Sequence, residues 1–342
     1  MTTAYITDAR VQVHTLAGHI ENAERLAAVQ QRIANEPIYE QLLKLTPEPI
    51  SDAHILSVHT QEYLNLLKWT EQQNGVQLGA DTYALPESLS AARLACGMAL
   101  RAVDAICSGE AENALVAVRP PGHHAVPDMA MGFCLLANVA IAARYAQAQY
   151  GVQRILIVDY DVHHGNGTQE IFYEDGSVYF CSTHQSPWYP GTGLLQETGA
   201  GKGKGTTLNL PLPAGVGDSG FKRLYAEVLW PAARRFRPHL MIVSAGFDAH
   251  WRDPLGGLQL TLSGYAHLSR ELIRMAAELC DGKIIFVQEG GYDHEALSCG
   301  MLNVAYALLG LETVYDPIGA APRSEPSIED LIRRAKAIHQ LD

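Results

Sequence analysis

Five short apolar, β-branched runs recur along the chain: ALVAV (114–118), ILIVD (155–159), VYFCS (178–182), LMIVSAG (240–246) and IIFVQEG (284–290). None alternates apolar with polar residues, so each reads as a strand covered on both faces. Alanine- and leucine-rich stretches at 134–149, 219–236 and 263–280 lie between several of them and suit helices. Doubly covered strands alternating with helices predict an α/β fold with a central, mostly parallel sheet flanked by helices. In such a sheet, ligands gather beyond the carboxyl ends of the strands.

The loops after these runs therefore hold the candidate chemistry. After ALVAV comes RPPGHHA, after ILIV comes DYDVHHGNGT, after VYFC comes STH, after LMIVSAG comes FDAH, and after IIFVQ comes EGGYDH. His184 or His250 alone would read as part of an ordinary turn. Five such loops converging on one rim of a sheet would not. The segment ILIVDYDVHHGNGT (155–168) is the most specific of them. In extended backbone Asp161 and His163, two apart, leave one face and can grip one cation, and Asp159 shares that face. Burying such groups unpaired costs on the order of several kcal/mol, so a metal site is the better reading.

Twenty-five basic against 37 acidic residues leave a net charge of −12, which opposes nonspecific binding to nucleic acid or to anionic membrane. A cationic substrate or protein tail suits that charge better. Cys96, Cys107, Cys134, Cys181, Cys280 and Cys299 form no CxxC pair and lie mostly in apolar stretches, so they read as reduced core thiols. The start, MTTAYITDARVQVH, lacks a basic and then apolar leader, and no apolar run approaches a membrane span, so a soluble cytoplasmic protein is expected. QETGAGKGKGTT (196–207) has Gly205 where a phosphate loop needs Ser or Thr, and is expected to be a flexible surface loop. Residues 316–326 read as a connector to a last helix packed on the domain, with Ser327 and Asp330 as its capping pair.

Asp161, His163 and Asp248 of SAGFDAH would give a cation two oxygen ligands and one nitrogen, with positions open for water and substrate. That is the catalytic arrangement for zinc, although the donor set also fits Fe(II), Co(II) or Mn(II). His163 would need an acceptor to anchor its other ring nitrogen. His123 and His124 diverge as neighbours and suit proton transfer, with Asp159 free to orient one ring. Tyr292, after Gly290 and Gly291, can offer a hydroxyl to a developing oxyanion. Phe133 and Tyr189 could wall a narrow apolar channel. Together these groups describe metal-assisted hydrolysis of a neutral amide.

RPPGHHA with MGFC (119–134), DYDVHHGNGT (159–168), STH and YPGTG (182–193), SAGFDAHWRDPLGG (244–257) and EGGY (289–292), in this order, resemble the histone deacetylase superfamily. That superfamily includes acetylpolyamine amidohydrolases and bacterial deacetylase-like amidohydrolases, and the PPGHHA, HHGNGT and EGGY variants look more like its class II branch. The resemblance covers most of the chain and implies a single arginase-like domain over 1–342. It implies one Zn²⁺ on Asp161, His163 and Asp248. It implies His124 as general base and acid, His123 as its electrostatic or proton-transfer partner paired with Asp159, and Tyr292 as carbonyl polariser. Asn166 would stand beside His124, where some relatives carry aspartate. A structural K⁺ is expected on Asp159, Asp161, His163 and Ser182. Phe133 and Tyr189, with Gly132, Gly291 and Leu255, would border an acyl-lysine-like channel, and Asp81 of GADTY would match a rim aspartate that orients substrate.

The leading reading is a zinc-dependent deacetylase acting on acetyl-lysine or a similar acetylated amine. Leu255, where polyamine-selective relatives place a glutamate nearby, favours lysine over the alternative, an acetylpolyamine or other small acetylamine hydrolase. A silent acetyl-ligand binding module would have lost a ligand or the tyrosine, and all are present. An arginase-type ureohydrolase would need more carboxylates for two manganese ions. Oligomerisation is left open.

Overall fold

The computed structural model describes residues 2–341. Among the described residues ten strands are formed, in chain order β1 (Thr3–Ile6), β2 (Leu43–Leu45), β3 (Val76–Gln77), β4 (Tyr83–Ala84), β5 (Asn113–Val116), β6 (Ile155–Asp159), β7 (Val178–Gln185), β8 (Thr207–Leu212), β9 (Leu240–Ala245) and β10 (Ile284–Gln288). Eight of them make one sheet in the order β2-β1-β5-β10-β9-β6-β7-β8, and every pairing in it is parallel. The five apolar runs are β5, β6, β7, β9 and β10, which occupy the middle of that sheet and are buried along their full lengths. Doubly covered strands need apolar side chains on both faces, which is why these runs do not alternate. The remaining pair, β3 and β4, is a small antiparallel hairpin.

The helices Ser88–Cys107 and Asn138–Tyr150 pack on one another, and so do Leu262–Leu279 and His294–Leu308. Thr261 caps Leu262–Leu279 by accepting from the Gly264 N–H, and Asp293 caps His294–Leu308 through Ala296. All six cysteines are free, and all but Cys107 are buried. No helix among the described residues is long and apolar enough to cross a membrane.

Three expectations change. The stretch 219–236 is not one regular helix: Asp218–Leu224 and Trp230–Phe236 flank a π-helical turn at Tyr225–Leu229. Pro231 has no N–H to give the preceding turn, so the ladder widens there. Residues 196–207 are not a loose loop. They hold a 3₁₀ turn at Gly201–Gly203, tied by the Ala200 N–H to the Tyr173 carbonyl, and lead directly into β8. The last helix, Glu329–His339, does pack on the domain through Ile332, Ala335 and His339, but Ser327 and Asp330 do not cap it as a pair. Ile328 is its N-cap, the Ser327 hydroxyl takes the Glu329 N–H at 3.4 Å, and Asp330 turns to Arg333 and Arg334.

Candidate metal centre and active site

Neighbouring strands set the site by register. Asp159, the last residue of β6, lies against Ser182 of β7 on one side and Ser244 of β9 on the other. Asp161 and His163 come just past the strand end, in a bend and not in extended backbone. The pairing of these residues therefore has another cause than the strand-face argument. Asp161 Oδ1 accepts the His163 N–H at 2.9 Å, a local turn that folds the imidazole back toward the carboxylate.

Asp161, His163 and Asp248 are buried, and one ligand atom from each lies within 4.8 Å of the others. His163 Nδ1 is 3.1 Å from Asp161 Oδ1 and 3.3 Å from Asp248 Oδ2. The outer oxygens are held by backbone: Asp161 Oδ2 accepts the Gly290 N–H at 2.8 Å, and Asp248 Oδ1 accepts the Val162 N–H at 2.8 Å. Asp248 Oδ2 is buried without a hydrogen-bond partner. Burial raises the Asp248 carboxyl, and the negative Asp161 beside it adds to that. His163 is held above its ordinary value, against burial, by the Asp161 and Asp248 carboxylates beside its Nδ1. Two acidic side chains around one ring nitrogen are electrically complete only with a positive charge among them, and a divalent cation with O, O and N ligands fits. The His163 ring points Nδ1 into this group. No acceptor among the described residues anchors Nε2, so the expected partner is absent, and the ring is packed instead by His124 and Tyr189.

The two adjacent histidines do not diverge as expected, since their ring centroids are 4.0 Å apart, but their surroundings shift them in opposite directions. His123 Nδ1 meets Asp159 Oδ2 at 2.9 Å, and its Nε2 lies 3.8 Å from Asp161 Oδ1. Burial works against a charge on His123, but Asp161 and Asp159 outweigh it and hold the imidazole well above its ordinary value. His124 Nδ1 meets Asn166 Oδ1 at 2.7 Å. Burial and then the neighbouring His123 and His163 push His124 well below its ordinary value. Because Asn166 offers an oxygen, His124 carries its proton on Nδ1 and leaves Nε2 with a lone pair. Ser182, expected as a potassium ligand, is buried with its hydroxyl 3.0 Å from His184 Nδ1.

A cavity of about 280 Å³ opens above these groups, lined by Asp81, Gly132, Phe133, His163, Trp188, Tyr189, Pro254, Leu255 and Tyr292. The β3–β4 hairpin positions its wall: Asp81 Oδ1 accepts the Gly132 N–H at 3.2 Å and the Thr82 hydroxyl accepts the Phe133 N–H at 3.0 Å. Phe133 meets Tyr292 edge to face at 5.7 Å, and Tyr189 meets His124 likewise at 5.1 Å. Gly132 has φ +55°, and a Cβ there would fall 2.1 Å from the His124 ring. Gly291 is not part of the cavity wall; its carbonyl accepts Arg25 Nε at 2.7 Å. The close approach expected of the glycine pair belongs to Gly290, where a Cβ would fall 2.0 Å from Asp248 Oδ2.

Several groups around the site carry no local sequence signal. Arg25 is fully buried, donates to the carbonyls of Gly291 and Glu289, pairs with Glu21 at 3.0 Å, and lies 4.7 Å over the Tyr292 ring. Arg119 shares Glu21 from the other side. Asp253 accepts the N–H groups of Tyr292, Asp293 and Leu255, which joins the EGGY turn to the DPLGG loop. Glu289 accepts from the Gly122 N–H at 2.7 Å and from Ser244 at 3.1 Å. Burial dominates the Tyr292 phenol and keeps it well above its ordinary value despite Arg25, so it stays a donor. Asp253 stands inside SAGFDAHWRDPLGG, and its position before Pro254 is the one hint the sequence offers. Arg25 lies 266 residues from Gly291 in the chain, and only the fold brings it to the turn it braces.

The histone deacetylase domain model matches residues 19–308. A probable deacetylase of Archaeoglobus fulgidus is 43% identical over 297 residues, spanning 86% of this chain and 82% of that protein. A histone deacetylase-like amidohydrolase of Pseudomonas aeruginosa is 38% identical over 311 residues, spanning 90% and 82%. The crystal structure of the HDA15 HD domain superposes with a TM-score of 0.91 at 36% identity, covering 99% of this chain and 94% of that one.

Proposed function

The chain belongs to the histone deacetylase family, and on that footing we propose that it hydrolyses the acetamide of acetyl-lysine or a similar acetylated amine to acetate and free amine. One Zn²⁺ held by Asp161, His163 and Asp248 would serve it, with K⁺ beside Asp159 and Ser182. The observation that carries this reading is the convergence of the buried, partnerless Asp248 Oδ2 with His163 at the floor of a cavity that Tyr292 also faces. A cation held by these residues would supply polarisation of the amide carbonyl and acidification of a water molecule.

The chain's own groups supply the remaining steps. His124, neutral and with its Nε2 lone pair fixed by Asn166, takes the proton of the attacking water. His123, cationic against Asp159, offsets negative charge as it develops. Tyr292 donates its phenolic hydrogen to the carbonyl oxygen as that oxygen becomes anionic. Return of the proton from His124 to the departing nitrogen gives the amine. Phe133 and Tyr189 flank the acyl chain and keep water from the reacting centre.

The test is a substrate panel with metal-quantified enzyme: acetyl-lysine peptides against acetylated putrescine and spermidine. Turnover of the peptides is expected. A large preference for the polyamines would move the assignment to the small-amine hydrolases, and no turnover of any acetamide would overturn it.

A further inference from the structure

We propose that Trp188 is a specificity-determining residue: its indole forms an aromatic shelf at the cavity mouth that selects substrates carrying a positive charge just beyond the acetamide. This deepens the proposed function and rests on it. Trp188 is 45% exposed yet lines the same cavity as His163 and Tyr292. Its single polar atom is already engaged, Nε1 donating to the Leu255 carbonyl at 2.8 Å. That bond joins the 185–193 loop to the DPLGG loop and fixes the ring's orientation. It leaves the π face as what the side chain can offer a ligand.

The charge around the shelf favours a cation. Phe133, Tyr189, Tyr292 and Trp188 supply four aromatic rings to the lining, Asp81 supplies a carboxylate, and no lysine or arginine borders the cavity. Asp81 spends Oδ1 on Gly132 and Thr82, and its carboxylate also faces the Tyr189 hydroxyl, whose phenol burial and then Asp81 hold above its ordinary value. Elsewhere Arg32 lies over the exposed ring of Tyr315 and Lys44 over the half-buried ring of Tyr39. No side-chain cation among the described residues lies over Trp188. An aromatic face with a carboxylate nearby attracts an ammonium group, and a half-exposed mouth spares that group full desolvation. A lysine-rich peptide or a polyamine could present the same ammonium.

The experiment pairs N-acetyl-1,6-diaminohexane with the neutral N-hexylacetamide, and an acetyl-lysine peptide flanked by lysine with one flanked by serine. Each is assayed with the wild type, Trp188→Leu and Trp188→Phe. The expected result is a preference for the charged member of each pair that Trp188→Leu reduces about two- to five-fold through KM. Trp188→Phe, which keeps a ring but loses the N–H, should retain most of it. Equal losses for charged and neutral members would reduce Trp188 to an apolar wall and overturn the proposal. The size of the preference in the diamine and peptide pairs shows which source is read. Calorimetric binding of the same compounds to Tyr292→Phe separates the two readings: charge preference in binding without turnover in the wild type would sink the deacetylase reading and leave the shelf standing.

Discussion

His124 and Asn166 are joined side chain to side chain, with Nδ1 2.7 Å from Oδ1. Asn166 begins the helix Asn166–Phe172, and the second and third N–H groups of that helix, from Gly167 and Thr168, donate to the His123 carbonyl. The histidine pair is thus tied to the HGNGT segment twice, once by backbone and once by side chain. An amide at this position orients the His124 ring without adding charge.

That relationship makes a pH prediction. His124 is held below its ordinary value, so it is a competent neutral base until pH falls through its pKa, and the acid limb of kcat/KM should lie below pH 6.5. Asn166→Asp would place a negative charge against the ring and favour the imidazolium, moving that limb up by about 1–3 units. A pH–rate profile of both enzymes checks it. An unmoved limb would mean that another group sets it.

Asp248→Asn keeps the size of the side chain and removes its charge, and Asp248 Oδ2 is the buried oxygen left without a partner. Bound metal after dialysis should fall well below one per chain, with activity falling in step, while circular dichroism shows the fold kept. Full occupancy in this variant would remove Asp248 from the ligand set.

Tyr292→Phe removes one hydroxyl from the cavity wall. Loss of a single donor to a developing oxyanion costs about 10²–10³ in kcat, and KM should change little because the interaction grows only in the transition state. A rise in KM at unchanged kcat would reassign Tyr292 to substrate binding.

Gly132→Ala should be more damaging than its size suggests. The residue sits at φ +55°, and the added Cβ would meet the His124 ring at 2.1 Å. The ring must move, so kcat should drop at least about ten-fold in a protein that still melts cooperatively.

Arg25→Ala should lower stability by about 3–5 kcal/mol, because it leaves carbonyls of Glu289 and Gly291 without their donor and unbalances Glu21. Denaturant titration measures this. Arg25→Lys keeps the charge but lacks the planar fork that reaches both carbonyls, so it should recover only part of the loss.

The central strands were legible because strands covered on both faces must be apolar throughout, and β5, β6, β7, β9 and β10 are. The short strands were not. β2 has three residues and β8 carries Pro211, so their hydrophobic signal is too brief or broken to read. The residues at the sheet rim were legible for a similar reason: a local run of ionisable groups after an apolar strand needs explaining wherever the strand lies. Their geometry was less so, since the bend at Asp161 to His163 replaces the extended backbone that the spacing implied.

By itself the sequence determined the parallel α/β class and the polar loops that follow the central strands, because these depend on periodicity and near neighbours. Tertiary structure alone decided which carboxylate oxygen would be left unpartnered, that Gly290 and not Gly291 lies against the carboxylates, and that Arg25 braces the turn before Tyr292. It also decided that Trp188 leans on Leu255 at the cavity mouth. Each of these is a contact between segments far apart in the chain, set by the order and register of eight parallel strands, and residue spacing carries no record of that order.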